Sequence, residues 1–308
     1  MTQDLFSAPG RFWRGNLHCH STASDGALSA GQVCRIYAEG GYDFISLTDH
    51  FVGLYGYPIS DTRAFRTPTF TTIPGAELHS GAMENGEIWH MLAVGLPYDF
   101  APPDAEDWTA HPDQETGPAL ARRAREAGAF VILAHPGWSS MSAADARALD
   151  AAHAVEIYNH TAEIGVDRGY GTWHYDRLLD AGRTPGVVAA DDSHFHMPDH
   201  GGGWTMVKAE ENDPDALVAA LKAGHHYATQ GPEFLGIHWE ENAVVVETSP
   251  VSTVIVQGPG SAGFPVMGDG MTRTRIDLTP WGGRLAWNRV TIVDASGRKA
   301  WSPAHRPT

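Results

Sequence analysis

Short apolar runs alternate with helix-like segments over the first two thirds of the chain, from about residue 14 to residue 231. The apolar runs read DFISLTDH, TTIPGAELH, IWHMLAVG, AFVILAHP, AVEIYNH and GVVAADDSH. The helices between them have recognisable starts: Ser29 and Gln32 have the spacing of a capping box, and Asp213 precedes Pro214 as an N-cap residue. This alternation of buried strands and helices predicts an α/β domain.

The pattern changes after Gly231. β-forming and polar residues alternate in the segments AVVVETSP, STVIVQGP, TRTRIDLTP and NRVTIVDASGRKAWS, which Gly, Pro and Asp-containing turns separate. Such alternation is typical of antiparallel strands with one buried face. We therefore predict a barrel-like α/β domain over residues 1–231 and a small β-sandwich-like module over residues 232–308.

Charge and cysteine content narrow the classes of partner. The 308 residues include 21 Lys and Arg against 37 Asp and Glu, a net charge of −16. This surplus of acidic groups argues against a nucleic-acid polymer or an anionic membrane as the partner. Cys19 and Cys34 are too few for a disulfide framework, and neither a signal peptide nor an apolar run of about 18 residues is visible. We predict a cytoplasmic protein without a membrane span; the oligomeric state stays open.

Histidines and carboxylates stand at the ends of nearly all the predicted strands. The segment LHCHSTASDG contains His18 and His20, which share one face of a strand because they are two residues apart. The later runs end in residues of the same two types: His50, Glu77, His90, His135, Asp192 and His194. Since the carboxyl ends of barrel strands form one face, these side chains are expected to meet there. Imidazole with carboxylate is the ligand mixture of Zn, Mn and Fe hydrolases.

The motifs HCHSTASDG, TDH, PGAE, AHP and DDSH, in this order, resemble the polymerase and histidinol phosphatase (PHP) superfamily of metal-dependent phosphoesterases. The resemblance covers about residues 14–231. The segments FWRGNLHCHST, AGHHYATQGP and VDASGRKAWSPAH resemble more narrowly the CehA/McbA branch, which includes aryl carbamate hydrolases. The resemblance implies an α/β fold, a distorted (β/α)7 TIM-like barrel followed here by the antiparallel all-β module. It also implies two or three divalent metal ions at the carboxyl ends of the strands.

The resemblance assigns nine residues of this chain to three metal sites. The first ion would be held by His18, His20, Glu77 and Asp192. Glu77 would bridge to a second ion held by His90 and His135. The third ion would be held by Asp25, His50 and His194. His79 follows Glu77 closely, and we expect it to lie outside this ligand set.

The predicted activity follows from such ions, because they lower the pKa of a bridging water. We predict a hydrolase that cleaves a small-molecule phosphate ester with a metal-bridging hydroxide. Hydrolysis of a carboxylic or carbamate (aryl) ester is the alternative, and a carbohydrate- or protein-binding component with a vestigial barrel is the alternative of another class.

Three further residues are predicted at the catalytic site. Asp49 and Asp191 each precede a predicted ligand and could orient an imidazole, with a solvated turn carboxylate as the equal alternative. His160, with Asn159, ends the run VEIYNH and is predicted to face the substrate.

Overall fold

The computed structural model describes residues 5–281 and 285–307. Within these ranges the chain forms α-helices, β-strands and four short 3-10 helices, at Leu5–Ser7, Gly53–Tyr55, Arg63–Phe65 and Thr279–Trp281. The α-helices are α1 (Ala30–Glu39), α2 (Gly117–Glu126), α3 (Ala143–Ala148), α4 (His160–Val166), α5 (Thr172–Asp180) and α6 (Pro214–Lys222). No helix of this part of the chain is long and apolar enough to cross a bilayer.

The strands alternate with these helices only in the first two thirds of the chain. They are β1 (Arg11–Asn16), β2 (Phe44–Leu47), β3 (His50–Phe51), β4 (Thr71–Ala82), β5 (Ile88–Val94), β6 (Phe130–Leu133), β7 (Ala154–Asn159), β8 (Gly186–Ala190), β9 (Trp204–Ala209), β10 (His226–Thr229), β11 (Phe234–Trp239), β12 (Ala243–Gln257), β13 (Gly263–Asp277), β14 (Arg289–Val293) and β15 (Lys299–Trp301). The mixed α/β class predicted from the pattern is confirmed.

One sheet of 15 strands contains the elements that position the site. Its hydrogen-bonded order includes the run β1-β2-β4-β5-β6-β7-β8. Neighbours in this run are parallel, except that β5 is antiparallel to both β4 and β6. A hairpin joins β4 to β5 where regular alternation would place a helix, so the strand–helix pattern is interrupted here.

The two ends of this run of strands meet beyond their carboxyl termini. Cys19, after β1, forms a parallel bridge with Ser193, after β8. The amide of Asp192 donates to the carbonyl of His18, and the amide of His20 donates to the carbonyl of Ser193, each at 2.9 Å. These bonds bring the first and last ligand-bearing segments of the sequence side by side.

Local sequence explains the helix starts. Ser29 and Gln32 form the predicted capping box of α1, and the side chain of Asp213 accepts from the amides of Asp215 and Ala216 at the start of α6. Both predicted caps are therefore confirmed. Each satisfies backbone N–H groups that a helix start leaves without an intrahelical partner.

The strands after residue 231 are antiparallel, as their alternating pattern predicts. They belong to the same sheet, because β15 pairs with β10. Side chains also cross the predicted boundary: Trp287 donates to Asp180 at 2.9 Å, and Arg289 pairs with Asp176 at 2.7 Å. These bonds place α5 in close contact with the C-terminal strands. The division into domains at residue 231 stays a prediction.

Candidate metal centre

Glu77, near the middle of β4, lies among the imidazoles of several strands. Its carboxylate is fully buried. Oε1 lies 2.8 Å from His90 Nδ1 and 3.1 Å from His135 Nε2. Oε2 lies 2.8 Å from His50 Nδ1. The two oxygens thus face different histidines, an arrangement that lets one carboxylate span two cation positions.

His18 and His20 both contact the carboxylate of Asp192, where the segments after β1 and β8 meet. Asp192 Oδ1 lies 3.0 Å from His18 Nε2 and 2.9 Å from His20 Nε2. Glu77 Oε2 lies 3.4 and 3.5 Å from these two nitrogens. The predicted common orientation of the two imidazoles is observed, because alternate residues of an extended segment point to one side. Asn159 holds the other oxygen of Asp192 by donating to Oδ2 at 3.0 Å.

Asp25 forms a third cluster nearer to solvent. Its Oδ1 lies 3.4 Å from His50 Nε2 and 3.4 Å from His194 Nε2. His20 Nδ1 is 4.0 Å away, and the rings of His20 and His194 stack with centroids 4.1 Å apart. The side chain of Asp25 is 38% exposed, whereas that of Glu77 is 0% exposed. This cluster therefore contains the most accessible carboxylate of the site.

The tautomer of His18 tests whether these residues fit a cation. Its Nδ1 lies 3.0 Å from Oε1 of the buried Glu156, so the proton belongs on Nδ1. Nε2 then presents a lone pair toward the oxygens of Asp192 and Glu77. In the neutral ring this lone pair and the carboxylate oxygens would repel each other in the buried site, so positive charge is required between them, either a proton on Nε2 or a metal ion. Buried atoms without a hydrogen-bond partner in the described residues include His18 Nε2, His20 Nδ1, Asp25 Oδ1 and Glu77 Oε2. The donor set fits divalent metal ions.

The pKa values of the clustered residues also indicate that positive charge is favoured at this site. Burial raises the pKa of Glu77, but the surrounding imidazoles, foremost His50 and His18, outweigh burial and hold this pKa well below its ordinary value. Burial lowers the pKa of His50, yet Glu77 and Asp25 raise it to about 10. His20 behaves oppositely: burial and the neighbouring His50 and His194 lower its pKa to about 4. The carboxylates therefore stay ionised and draw cationic charge into the cluster.

His79 lies within ligand distance of this cluster, contrary to our expectation. Its buried Nε2 is 2.9 Å from His50 Nδ1 and 3.8 Å from Glu77 Oε2. Glu77 and His79 are two residues apart on β4, so they point to the same side, as His18 and His20 do. The two-residue spacing in AELH is the sequence signal for this shared side.

Asp49 and Asp191 have different partners from those predicted. The carboxylate of Asp49 accepts from Ser21, Ser24 and Ser60. That of Asp191 accepts from Tyr37 and from the successive amides of residues 201–203. Neither bonds to an imidazole among the described residues, so the imidazole-orienting role is wrong for both. They instead fix the loops that lead to Asp25 and follow His194.

The residue that does orient an imidazole is Glu156. Besides accepting from His18, it accepts from the backbone amide of His135 at 2.6 Å and from Asn159 Nδ2 at 3.0 Å. Asn159 thus bridges Glu156 to Asp192 and has no free amide proton for a substrate. The sequence gives no local signal for this role of Glu156, because its partners come from segments far apart in the chain.

His160 begins α4 and is partly exposed. Its Nδ1 lies 2.9 Å from the hydroxyl of Tyr158. Gly202 packs flat against the ring, because a Cβ at that position would lie 2.1 Å from Nδ1. The ring is therefore held in place beside the glycine loop, and its contact with a substrate stays a prediction.

Two half-exposed tryptophans border the cluster. Trp108 is 39% exposed, and its ring centroid lies 4.8 Å from that of His50. Trp138 is 44% exposed and lies 4.9 Å from His135 and 5.4 Å from His90. Neither tryptophan has a sequence signal, since loop residues lack the periodicity of helices and strands. Their exposure beside the imidazoles gives the site an apolar rim.

No protein-family model matches the sequence, and no curated protein matches it. Solved structures do resemble this one. One is a two-domain protein from Bacteroides vulgatus that contains a predicted PHP-like metal-dependent phosphoesterase; it is 18% identical, with a TM-score of 0.52 over 98% of this chain and 97% of that chain.

Two further structures cover 60% of this chain and 89% of their own. One is a putative metal-dependent phosphoesterase from Bifidobacterium adolescentis, 15% identical with a TM-score of 0.44. The other is an amidohydrolase from Chromobacterium violaceum with bound sulfate, 13% identical with a TM-score of 0.43.

At 18% identity, the likeness to the Bacteroides protein shows the fold. The narrower resemblance to the CehA/McbA branch stays a prediction. The chain has the PHP-like fold that its histidine and carboxylate motifs predict.

Proposed function

We propose that this protein is a metal-dependent hydrolase that cleaves phosphate esters of small molecules. The observation that carries the proposal is the convergence of buried imidazoles and carboxylates: His18 Nε2 lies 3.0 Å from Asp192 Oδ1 and 3.4 Å from Glu77 Oε2, while Glu156 holds the opposite ring nitrogen of His18. A protein evolved only to fold or to bind sugar has no need of this costly arrangement. This argues against a binding component with a vestigial barrel.

The strand pairing supports a finer description of the fold. We assign the run β1, β2, β4, β5, β6, β7 and β8, with its closure between Cys19 and Ser193, to a distorted (β/α)7 barrel. In such barrels the reacting groups lie at the carboxyl ends of the strands. The candidate ligands follow β1, β2, β6 and β8, while Glu77 lies within β4 and His90 within β5. Residues 232–308 form the β module in this assignment.

The site would hold two or three divalent ions, with Zn, Mn and Fe as the candidates that suit imidazole and carboxylate. The first position is assigned to His18, His20, Asp192 and Glu77, the second to Glu77, His90 and His135, and the third to Asp25, His50 and His194. Within residues 5–281 and 285–307, four groups of side chains have ligand atoms close enough to share an ion: His18-His20-Asp192, His18-Glu77-His135, His20-Asp25-His50-His194 and His50-Glu77-His79. Bound ions would acidify water and neutralise the charge that develops on the ester.

The chain itself does the positioning. Glu77 spans the first two positions with its two oxygens, which fixes their separation. Glu156 fixes the tautomer and ring orientation of His18, and Asn159 fixes Asp192. Burial excludes competing water from the inner clusters, while the exposed edge near Asp25 leaves an approach for the substrate.

Hydrolysis of a carboxylic or carbamate aryl ester is the second candidate function. Trp108 and Trp138 favour it, because both present exposed ring surface next to the imidazoles. The two functions share the same metal requirement and differ in the charge of the reacting group. A phosphate ester is anionic and would be attracted to the cations, whereas a carbamate is neutral.

A substrate screen on metal-loaded protein tests the proposal. Purified protein is stripped with a chelator, reloaded separately with Zn, Mn or Fe(II), and assayed on phosphate monoesters, phosphate diesters and aryl carboxylic esters. We expect phosphate ester hydrolysis that the chelator abolishes and reloading restores. Hydrolysis of aryl carboxylic esters alone would replace the first function by the second. No binding of metal by the reloaded protein would overturn both.

A further inference from the structure

A cavity of about 490 Å³ opens beside the metal centre. It is lined by side chains of three segments: the β4–β5 hairpin, the loop after β6 and the end of α4. His90 forms part of its wall, and Ser139, another wall residue, lies with Oγ 3.2 Å from His135 Nδ1. The cavity is therefore continuous with the proposed second metal position and is large enough for part of a small molecule.

Apolar side chains form much of the wall nearest to the imidazoles. Met83 and Ile88 are buried in the hairpin, while Trp138 and Val166 are 44% and 55% exposed. Apolar side-chain surface that is exposed to water costs free energy, and covering it with an apolar group recovers this free energy. The wall thus suits an apolar body.

One cationic side chain lines the cavity. Arg168 donates to Ser140 Oγ at 3.3 Å, and among the described residues it forms no ion pair. Its backbone is fixed: its amide donates to the carbonyl of Ala162, and its carbonyl packs against Gly137, where a Cβ would lie 2.9 Å away. An exposed guanidinium on a fixed backbone, in a chain of net charge −16, is available to pair with an anion.

Glu87 is the acidic side chain of the same lining, and it lies exposed on the hairpin. It bears on the charge of the ligand, since a carboxylate here would favour a cationic group as much as Arg168 favours an anionic one. Arg168 has the stronger claim, because metal ions bound at the neighbouring centre would add their positive charge to that of Arg168 and would favour an anionic group at this end of the site.

We propose that this cavity is the subsite for the non-reacting end of the substrate, and that it takes an apolar body ending in an anionic group, carboxylate or phosphate, paired with Arg168. The inference rests on the proposed function in one respect: the reacting ester would lie on the metal centre next to His90. It adds a specificity that the metal ligands do not provide, since they recognise only the reacting group.

Binding of non-hydrolysable probes to the metal-loaded protein tests the subsite. The probes are phenylphosphonate, 4-carboxyphenylphosphonate and 1,4-phenylenebisphosphonate, measured by calorimetry at one ionic strength. We expect at least one of the two tailed probes to bind about tenfold more tightly than phenylphosphonate, as a charge-assisted pair allows. Their ranking shows whether the tail is a carboxylate or a phosphate.

Two variants of opposite charge form a matched pair. Arg168→Gln should abolish the preference for the tailed probes and leave the affinity for phenylphosphonate unchanged. Glu87→Gln should preserve the preference or increase it. Unchanged metal content and melting temperature in both variants show that the fold and the ions are intact.

The proposal is overturned by equal affinities for tailed and untailed probes, by a preference that survives Arg168→Gln, or by a loss of preference in Glu87→Gln. Failure of the proposed function gives a different result. A protein that hydrolyses no phosphate ester but shows the Arg168-dependent preference retains the subsite and loses the phosphoesterase assignment. A phosphoesterase without the preference retains its function and loses the subsite.

Discussion

Two groups of histidines differ in their partners: one lies where the ligand-bearing strands end, and the other lies where β6, β7 and β10 begin. At the carboxyl ends, His18 and His20 face the carboxylates of Glu77 and Asp192 within 3.5 Å. At the amino ends, His153 and His226 lie against Phe130, with ring centroids 5.3 and 5.6 Å from it. Neither ring nitrogen of His226 has a hydrogen-bond partner among the described residues.

The difference shows that burial alone does not make a histidine a metal ligand. Burial, aided by its histidine neighbours, lowers the pKa of His226 to about 3, so its ring stays neutral and packs against an aromatic neighbour. Burial also acts on His18, but Asp192, Glu156 and Glu77 outweigh it and raise the pKa. Nearby carboxylates thus separate the cluster that requires a cation from the cluster that excludes one.

The largest expected effect comes from removing the charge of the central carboxylate. Glu77→Gln should remove metal from the first two positions. It should lower kcat/KM by more than about a hundredfold, because residues that only position a ligand already cost up to about a hundredfold when they are mutated. Metal content measured with steady-state kinetics checks this. Glu84→Gln, in the exposed hairpin after β4, is the matched control and should change neither. Full metal content and activity in Glu77→Gln would show that the charge of Glu77 is not needed to bind metal, and that nearby carboxylates do not distinguish the two groups of histidines.

A smaller effect is expected at the more exposed edge of the centre. Asp25→Asn keeps the size of the side chain and removes the charge that faces His50 and His194. The third ion, which lacks a carboxylate bridging it to the others in our assignment, should leave first, with a fall of about tenfold in kcat and little change in KM. Metal stoichiometry and kinetics on the same preparation decide the matter. If all ions remain and kcat is unchanged, Asp25 is a turn residue.

The effect on activity should be smallest, with a change only in stability, at the second group of histidines. The pKa of His226 is about 3 in the folded protein and about 6.5 when it is unfolded, so below pH 6.5 the unfolded chain binds the extra proton. This residue should therefore reduce the free energy of unfolding by about 1.4 kcal/mol for each pH unit between about 6.5 and 3. His226→Leu should flatten this acid slope, measured by urea unfolding from pH 7 to pH 4. The exposed His238→Leu is the control, and an equally steep slope in His226→Leu would contradict the prediction.

Much of the centre could be predicted because its signals are local. The two-residue spacing of His18 and His20 fixes their common face, and the capping residues Ser29 and Asp213 fix where α1 and α6 begin. The residue types at the strand ends indicated metal chemistry. The structure then places all nine predicted ligands in one connected cluster, though their binding of metal stays a prediction.

The remaining features depend on pairing between distant segments. Glu156 reaches His18 across 138 positions of the sequence, and the closure of Cys19 on Ser193 spans 174. The imidazole-orienting role predicted for Asp49 and Asp191 is wrong for the same reason. Adjacency to a ligand in the sequence does not determine which donors surround a carboxylate after folding. Arg168 and Trp138 belong to one cavity only because α4 and the loop after β6 pack together.

The amino-acid sequence specifies the chemical groups available to this protein: imidazoles and carboxylates at strand ends, with helix starts and strand faces set by interactions over two to four residues. Only the tertiary structure decided which of these groups became neighbours. Strand register placed His90 opposite His79 and so within reach of Glu77. Packing placed His226 against Phe130, where its ring nitrogens have no hydrogen-bond partner in the described part of the chain. The physical reason is that side-chain periodicity is a property of the local backbone, whereas distances between ligands are set by hydrogen bonds and packing among segments far apart in the chain.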